Sequence, residues 1–272
     1  MPRSCISSLA YALGLAWLVM PCGYGDGANS VFGQSQESEA ALIGVMYDLK
    51  QTQSHQPTNV NAATYYTDVL DIYLGNHWDE SVLDKYYRVS RPLYTTQIFI
   101  PDMNADEAPK AFGAEKTIQP SRWIIHYKGQ VSPPTPGTYR FWGCSDDIIA
   151  VAVNGKTMLI ATMGSADNLK KMGWAPSEPD GMPAADNRLR PGDWFTVKAN
   201  EIIDLDIIIG ECPGGFFNAF LMIQNQGETY AKDKDGNLIL PIFQVATHDT
   251  PVLSDRLQPQ FAKAPTPWKS YQ

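Results

Sequence analysis

The chain of 272 residues carries 29 acidic and 21 basic side chains, a formal net charge of −8. Its longest basic run is Lys170-Lys171, so it offers no cationic patch for nucleic acid. The acidic balance suits an extracellular protein that meets neutral sugars or cations.

Residues 1–33 read as a signal peptide. Arg3 supplies a positive start, and Leu9 to Met20 is an apolar run too short to span a bilayer. Val31 and Gly33 are small enough to precede a cut before Gln34. Lipid attachment at Cys22 is the second reading; Pro21 directly before the cysteine departs from the lipoprotein pattern. No later segment is long and apolar enough for a membrane helix, so export without a transmembrane segment is expected, to the periplasm, the cell surface or the medium.

Residues 34–92 form an N-terminal elaboration. Ala41, Ile43, Val45, Tyr47 and Leu49 alternate as a strand. Tyr66, Val69, Leu70, Tyr73 and Leu74 recur at helical spacing, with Asn61 as cap and Gly75 as stop. Asp79 caps a second short helix with Val82, Leu83, Tyr86 and Tyr87 on its apolar face. At that spacing these aromatics are packing residues, not a sugar-stacking row.

Residues 93–246 read as β. Strands are expected at 95–100, 123–131, 137–144, 148–153, 157–162, 201–210, 216–224 and 238–246, with a helical turn around 105–112. The segment 164–193 is rich in Pro, Gly, Asp and Asn and holds Trp174; a loop of that length without structure is usually functional. The tail, 247–272, is Pro-rich and expected over the surface. The succession of strands and turn signals predicts an antiparallel β-sandwich, with the helices packed on it to bury faces they cannot bury alone.

Several motifs point away from chemistry. Asp233-Lys234-Asp235-Gly236-Asn237 lacks the glycine and glutamate of an EF-hand loop: Leu238 and Gln244 hold those positions. His55, His77, His126 and His248 show no metal spacing, and there is no nucleophile elbow or phosphate-cradling glycine loop. The pair Asp146-Asp147 joins one strand to the next. Sequence neighbours are better placed to share a cation than to divide acid and base roles across a cleft, and a solvated turn is the plainer alternative. No catalytic residues are assigned. With the leader removed, Cys144 and Cys212 remain; in an exported protein a disulfide is favoured, two buried thiols being the alternative.

The ordered set Ile124-Ile125-His126-Tyr127-Lys128-Gly129, Pro136-Gly137-Thr138-Tyr139-Arg140-Phe141, Ser145-Asp146-Asp147 and Val153-Asn154-Gly155-Lys156 resembles the protective-antigen-type β-sandwich domain found in adhesins and inserted in some glycosidases. The resemblance runs from about Leu93 to Val245. It implies a glycan or cell-surface partner and a calcium ion (Ca2+) on Asp146 and Asp147, completed by the loop after the strand Ile203 to Ile209. That loop lacks the early asparagine of flocculin-type members and has Cys212 and Pro213 there, so Glu211 or Asn218 is the expected substitute ligand. The same resemblance sets Cys144 and Cys212 at one end of the sandwich, as a disulfide. Trp174 or Phe216 would give a sugar ring its apolar platform. A structural or protein-interaction component of the cell envelope or matrix is the other reading, and a third oxygen ligand beside the aspartates discriminates the two.

Overall fold

The computed structural model describes residues 30–163, 181–184, 187–247, 258–262 and 266–271. Among them lie β1 (Leu42–Asp48), β2 (Tyr87–Arg88), β3 (Leu93–Thr95), β4 (Phe99–Asn104), β5 (Trp123–Ser132), β6 (Gly137–Asp146) and β7 (Ile148–Val153). They are followed by β8 (Lys156–Thr162), β9 (Met182–Ala184), β10 (Asn187–Pro191), β11 (Phe195–Val197), β12 (Ile203–Glu211), β13 (Phe216–Asn225) and β14 (Lys269–Tyr271). One sheet has the order β2-β1-β5-β12-β7-β8, with β3 on β1 and β14 on β5; the other has β4-β13-β6-β10-β9, with β11 on β6. The strand ladders are antiparallel, and the two sheets form the expected sandwich.

Both sheets are covered on both faces, which gives three apolar clusters. The central one holds Ile125, Phe141, Ile149, Val151, Leu205, Ile207 and Ile209, as their alternation predicts. Trp123 extends the row. On the outer face of the first sheet, Ile124, Ile148 and Ile208 meet Tyr65, Val69 and Tyr73 of the helical segment. A third cluster lies outside the second sheet around Trp142, Phe220, Leu240 and Ile242. Phe220 and Met222 were expected in the center, but Ala219, Leu221 and Ile223 face it instead. With apolar partners on both sides, β13 carries no polar alternation to reveal its inward face.

Asn61 caps the helical segment as expected, its side chain accepting from the backbone N–H groups of Ala63 and Thr64 (2.9 and 3.2 Å). Between short α-helical turns the chain winds as a π-helix over Tyr65–Asp71. Asp79 caps a 3-10 turn over Glu80–Leu83, not a longer helix, and Tyr87 belongs to β2. Segment 238–246 forms isolated bridges and no continuous ladder. No helix among the described residues is long and apolar enough to cross a membrane.

Both ends of the described chain are built into the core, against the expectation for each. Phe32 is 1% exposed, stacks on Phe217 with centroids 6.0 Å apart, and its carbonyl accepts from the Tyr127 hydroxyl at 2.8 Å. A cut before Gln34 would remove this buried ring. In the tail, Trp268 is 2% exposed among Tyr139, Phe195 and Phe243, and β14 then pairs with β5.

Candidate metal centre

The end of β6, the start of β7 and the end of β12 converge. Antiparallel pairing sets Gly210 against Ile148, which brings Glu211 beside the Asp146-Asp147 corner. The corner is a cis peptide, and a second cis peptide joins Cys212 to Pro213. Backbone bonds hold it on both sides: Asp147 N–H donates to the Gly210 carbonyl, and Met163 N–H donates to the Asp147 carbonyl, each at 3.0 Å. Gly210 has no room for a side chain, since a Cβ there would sit 2.1 Å from the Tyr65 hydroxyl.

Carboxylate oxygens of Asp146, Asp147 and Glu211 lie within 4.8 Å of one another. Asp147 Oδ2 accepts from Cys212 N–H at 2.5 Å, and the Tyr66 hydroxyl also bonds this carboxylate. Glu211 Oε1 accepts from Gly214 N–H at 2.6 Å, while its Oε2 is buried without a protein partner. Asn218 is paired across the ladder with Asp146, and its carbonyl accepts from Ser145 Oγ at 2.8 Å. Its side-chain oxygen and nitrogen are buried and have no protein partner.

Burial disfavours the charged forms of Asp147 and Glu211, and at Glu211 like charges add to the effect. Desolvation raises Asp147 to about 6, against its hydrogen bonds from Cys212 and Tyr66. Desolvation also dominates at Glu211, and the charges of Asp147 and Asp146 push it further, to about 9.

The donor set fits a hard divalent cation. Three carboxylates and an amide oxygen are the ligand types that calcium takes, six to eight at a time, and no soft or nitrogen donor is required. The polar atoms left over on Glu211 and Asn218 are those a cation and its water would satisfy.

Of the four residues expected around the ion, Asp146, Asp147 and Glu211 bring their carboxylates together, and Asn218 lies opposite Asp146 in the ladder. Phe216 is 61% exposed two residues before Asn218. Trp174 lies outside the described residues. The expected disulfide is absent: Cys144 and Cys212 remain buried thiols. Cys144 points into the cluster outside the second sheet and Cys212 into the one outside the first, so the central layer separates them. Sequence reasoning missed Tyr66, whose place on a distant helix carried no signal linking it to Asp147.

No protein-family model matches the chain, and no curated protein matches it. Solved structures do. A PA14 sugar-binding domain from an RTX adhesin is 15% identical, with 80% of this chain and 97% of that chain covered and a TM-score of 0.36. The PA14 domain of the antifreeze protein MpAFP is 15% identical, with 85% and 97% covered and a TM-score of 0.43. The epithelial adhesin 6 A domain from Candida glabrata, solved with Galβ1-3GlcNAc, is 12% identical, with 79% and 95% covered and a TM-score of 0.39. At these identities and scores the likeness concerns architecture and carries no argument about ligands. The chain is a β-sandwich similar to those PA14 domains.

Proposed function

We propose that this chain is an exported, calcium-dependent glycan-binding module of the adhesion type. The observation that carries the reading is the carboxylate trio with unsatisfied oxygen on Glu211 and an unsatisfied amide on Asn218. Asp146, Asp147, Glu211 and Asn218 would hold the ion. Bound there, calcium would present coordination positions that sugar hydroxyls can take in place of water. The exposed ring of Phe216 supplies an apolar face for a sugar beside those ligands. The named residues suit holding and orienting a neutral ligand, and no general acid–base pair or activated nucleophile is invoked.

Calorimetry tests the ion first. Calcium titrated into chelator-stripped protein should bind at one site, and the paired variant Asp146→Ala/Asp147→Ala should show no heat. A glycan array with calcium, and again with EDTA, tests the ligand: spots should light only with calcium and should weaken in Phe216→Ala. A parent protein without a calcium isotherm overturns the reading; array binding unaffected by EDTA overturns its calcium dependence.

A further inference from the structure

A second region reads as a ligand site. On the outer face of the first sheet, beyond the edge of the helical cover, lies a groove of about 560 Å3, a size typical of small-ligand sites. Its floor is β5 and β12, and its walls are Trp78 on one side and Tyr271 of β14 on the other.

Along that floor the side chains form a ladder of donor–acceptor pairs. Lys128 Nζ donates to Glu80 Oε1 at 2.5 Å, and Gln130 Nε2 donates to Asp204 Oδ1 at 2.9 Å. Behind them Asp206 Oδ1 bonds His126 Nε2 at 2.8 Å, with the imidazole 2% exposed. Lys128 and Gln130 are two residues apart and so project on the same face, roughly 7 Å from each other. Each pair uses only part of its capacity: an ammonium has three donors, and an amide or carboxylate has further acceptor positions. Lys128 and Glu80 are each 44% exposed, so the remaining positions open to the groove.

The wall is held at a cost. His77 and Trp78 are consecutive non-glycine residues at positive φ (54° and 62°), a conformation that L-residues avoid. Trp78 Nε1 donates to Thr157 Oγ1 at 2.9 Å, which locks the ring beside the ladder.

Charge selects the ligand class. Glu80, Asp204 and Asp206 outnumber Lys128, which repels phosphate, sulfate or uronate groups. Lys128, at the center of the ladder, opposes a bare cation. Alternating donors and acceptors beside the Tyr271 ring and the largely buried Trp78 suit a neutral polyhydroxylated chain, whose hydroxyls both donate and accept. We infer that this groove is a second, metal-independent binding site for a neutral oligosaccharide. Asp206 and Glu211 are five residues apart on β12, roughly 17 Å, so the groove is separate from the carboxylate trio.

The site is tested with metal removed, so that its failure and that of the calcium reading stand apart. Cellotetraose, maltotetraose, xylotetraose and triacetylchitotriose are titrated by saturation-transfer NMR into the full chain in EDTA. At least one should bind in this metal-free protein. Affinity should fall tenfold or more in Lys128→Ala/Gln130→Ala, with an unchanged melting temperature because both side chains are at the surface. Conservative Lys128→Arg should recover part of the loss. Absence of binding by all four sugars overturns the proposal, as does a double variant that binds like the parent. Binding of spermidine in their place would assign the groove to amines and overturn it as well.

Discussion

Glu211 sits in an environment that opposes its own charge, and this makes the carboxylate trio visible in solution. A carboxyl raised in the folded state stabilises the fold at low pH, and that contribution is lost as pH rises through the folded value. Asp147, raised to about 6, and Glu211, raised to about 9, therefore both act in one direction. Stripped of metal, the protein should melt at progressively lower temperature from pH 5 to pH 9, by on the order of 5 °C. Calcium should remove most of that slope, and Glu211→Gln should flatten it without metal. Scanning fluorimetry in EDTA and in calcium reads both; a metal-free protein whose melting temperature rises across this range would contradict the assignment. At this scale the Asp-Asp pair was legible in the sequence because a strand on each side made it a corner. Glu211 and Asn218 could be nominated only through the resemblance, since their proximity depends on the register of β12 and β13. Tyr66 was invisible, because a hydroxyl reaching across from a helix has no sequence period.

Among the elements, those with a clear period or a local cap were legible: β1, β5, β6, β7 and the Asn61 cap all fall where alternation or capping chemistry sets them. Where cover on both faces erased the polar alternation, the inward face of β13 was missed, and so were the ends of the chain. The short stretch Ser30 to Gln34 illustrates why: its anchoring is tertiary. Gln34 exchanges backbone bonds with Tyr94 (2.9 and 2.8 Å), and Phe32 fills space under Tyr127. Removing a buried phenylalanine costs about 3–5 kcal/mol. A chain that begins at Gln34 should accordingly be less stable by about that amount than one that begins at Ser30, measured by urea denaturation. Equal midpoints would show that Phe32 is dispensable to the core.

For the whole molecule, three apolar layers share two sheets, so residues far apart in sequence carry the stability. Trp268 belongs to the central layer, and its N–H donates to the Gln244 carbonyl at 2.8 Å. Trp268→Ala should cost about 3–5 kcal/mol. Phe216→Ala, at an exposed site, should change stability by less than about 0.5 kcal/mol. Denaturant midpoints of the two variants should separate accordingly, and similar losses in both would refute the assignment of Trp268 to the core. The sandwich itself was legible from strand count and turn signals. The return of the tail was not, because Pro-rich composition describes a segment's local backbone and says nothing about a single tryptophan near its end.

The pairing of β14 with β5 also orders events in time. Ser132 faces Lys269 in that ladder, so the outer edge of β5 at residues 130–132 stays open until 137 more residues have been made. At a synthesis rate of about 5–20 residues per second, that wait is roughly 7–27 s. During it, the nascent sheet exposes unpaired backbone and the pocket meant for Trp268, a surface that a chaperone or a neighbouring nascent chain can capture.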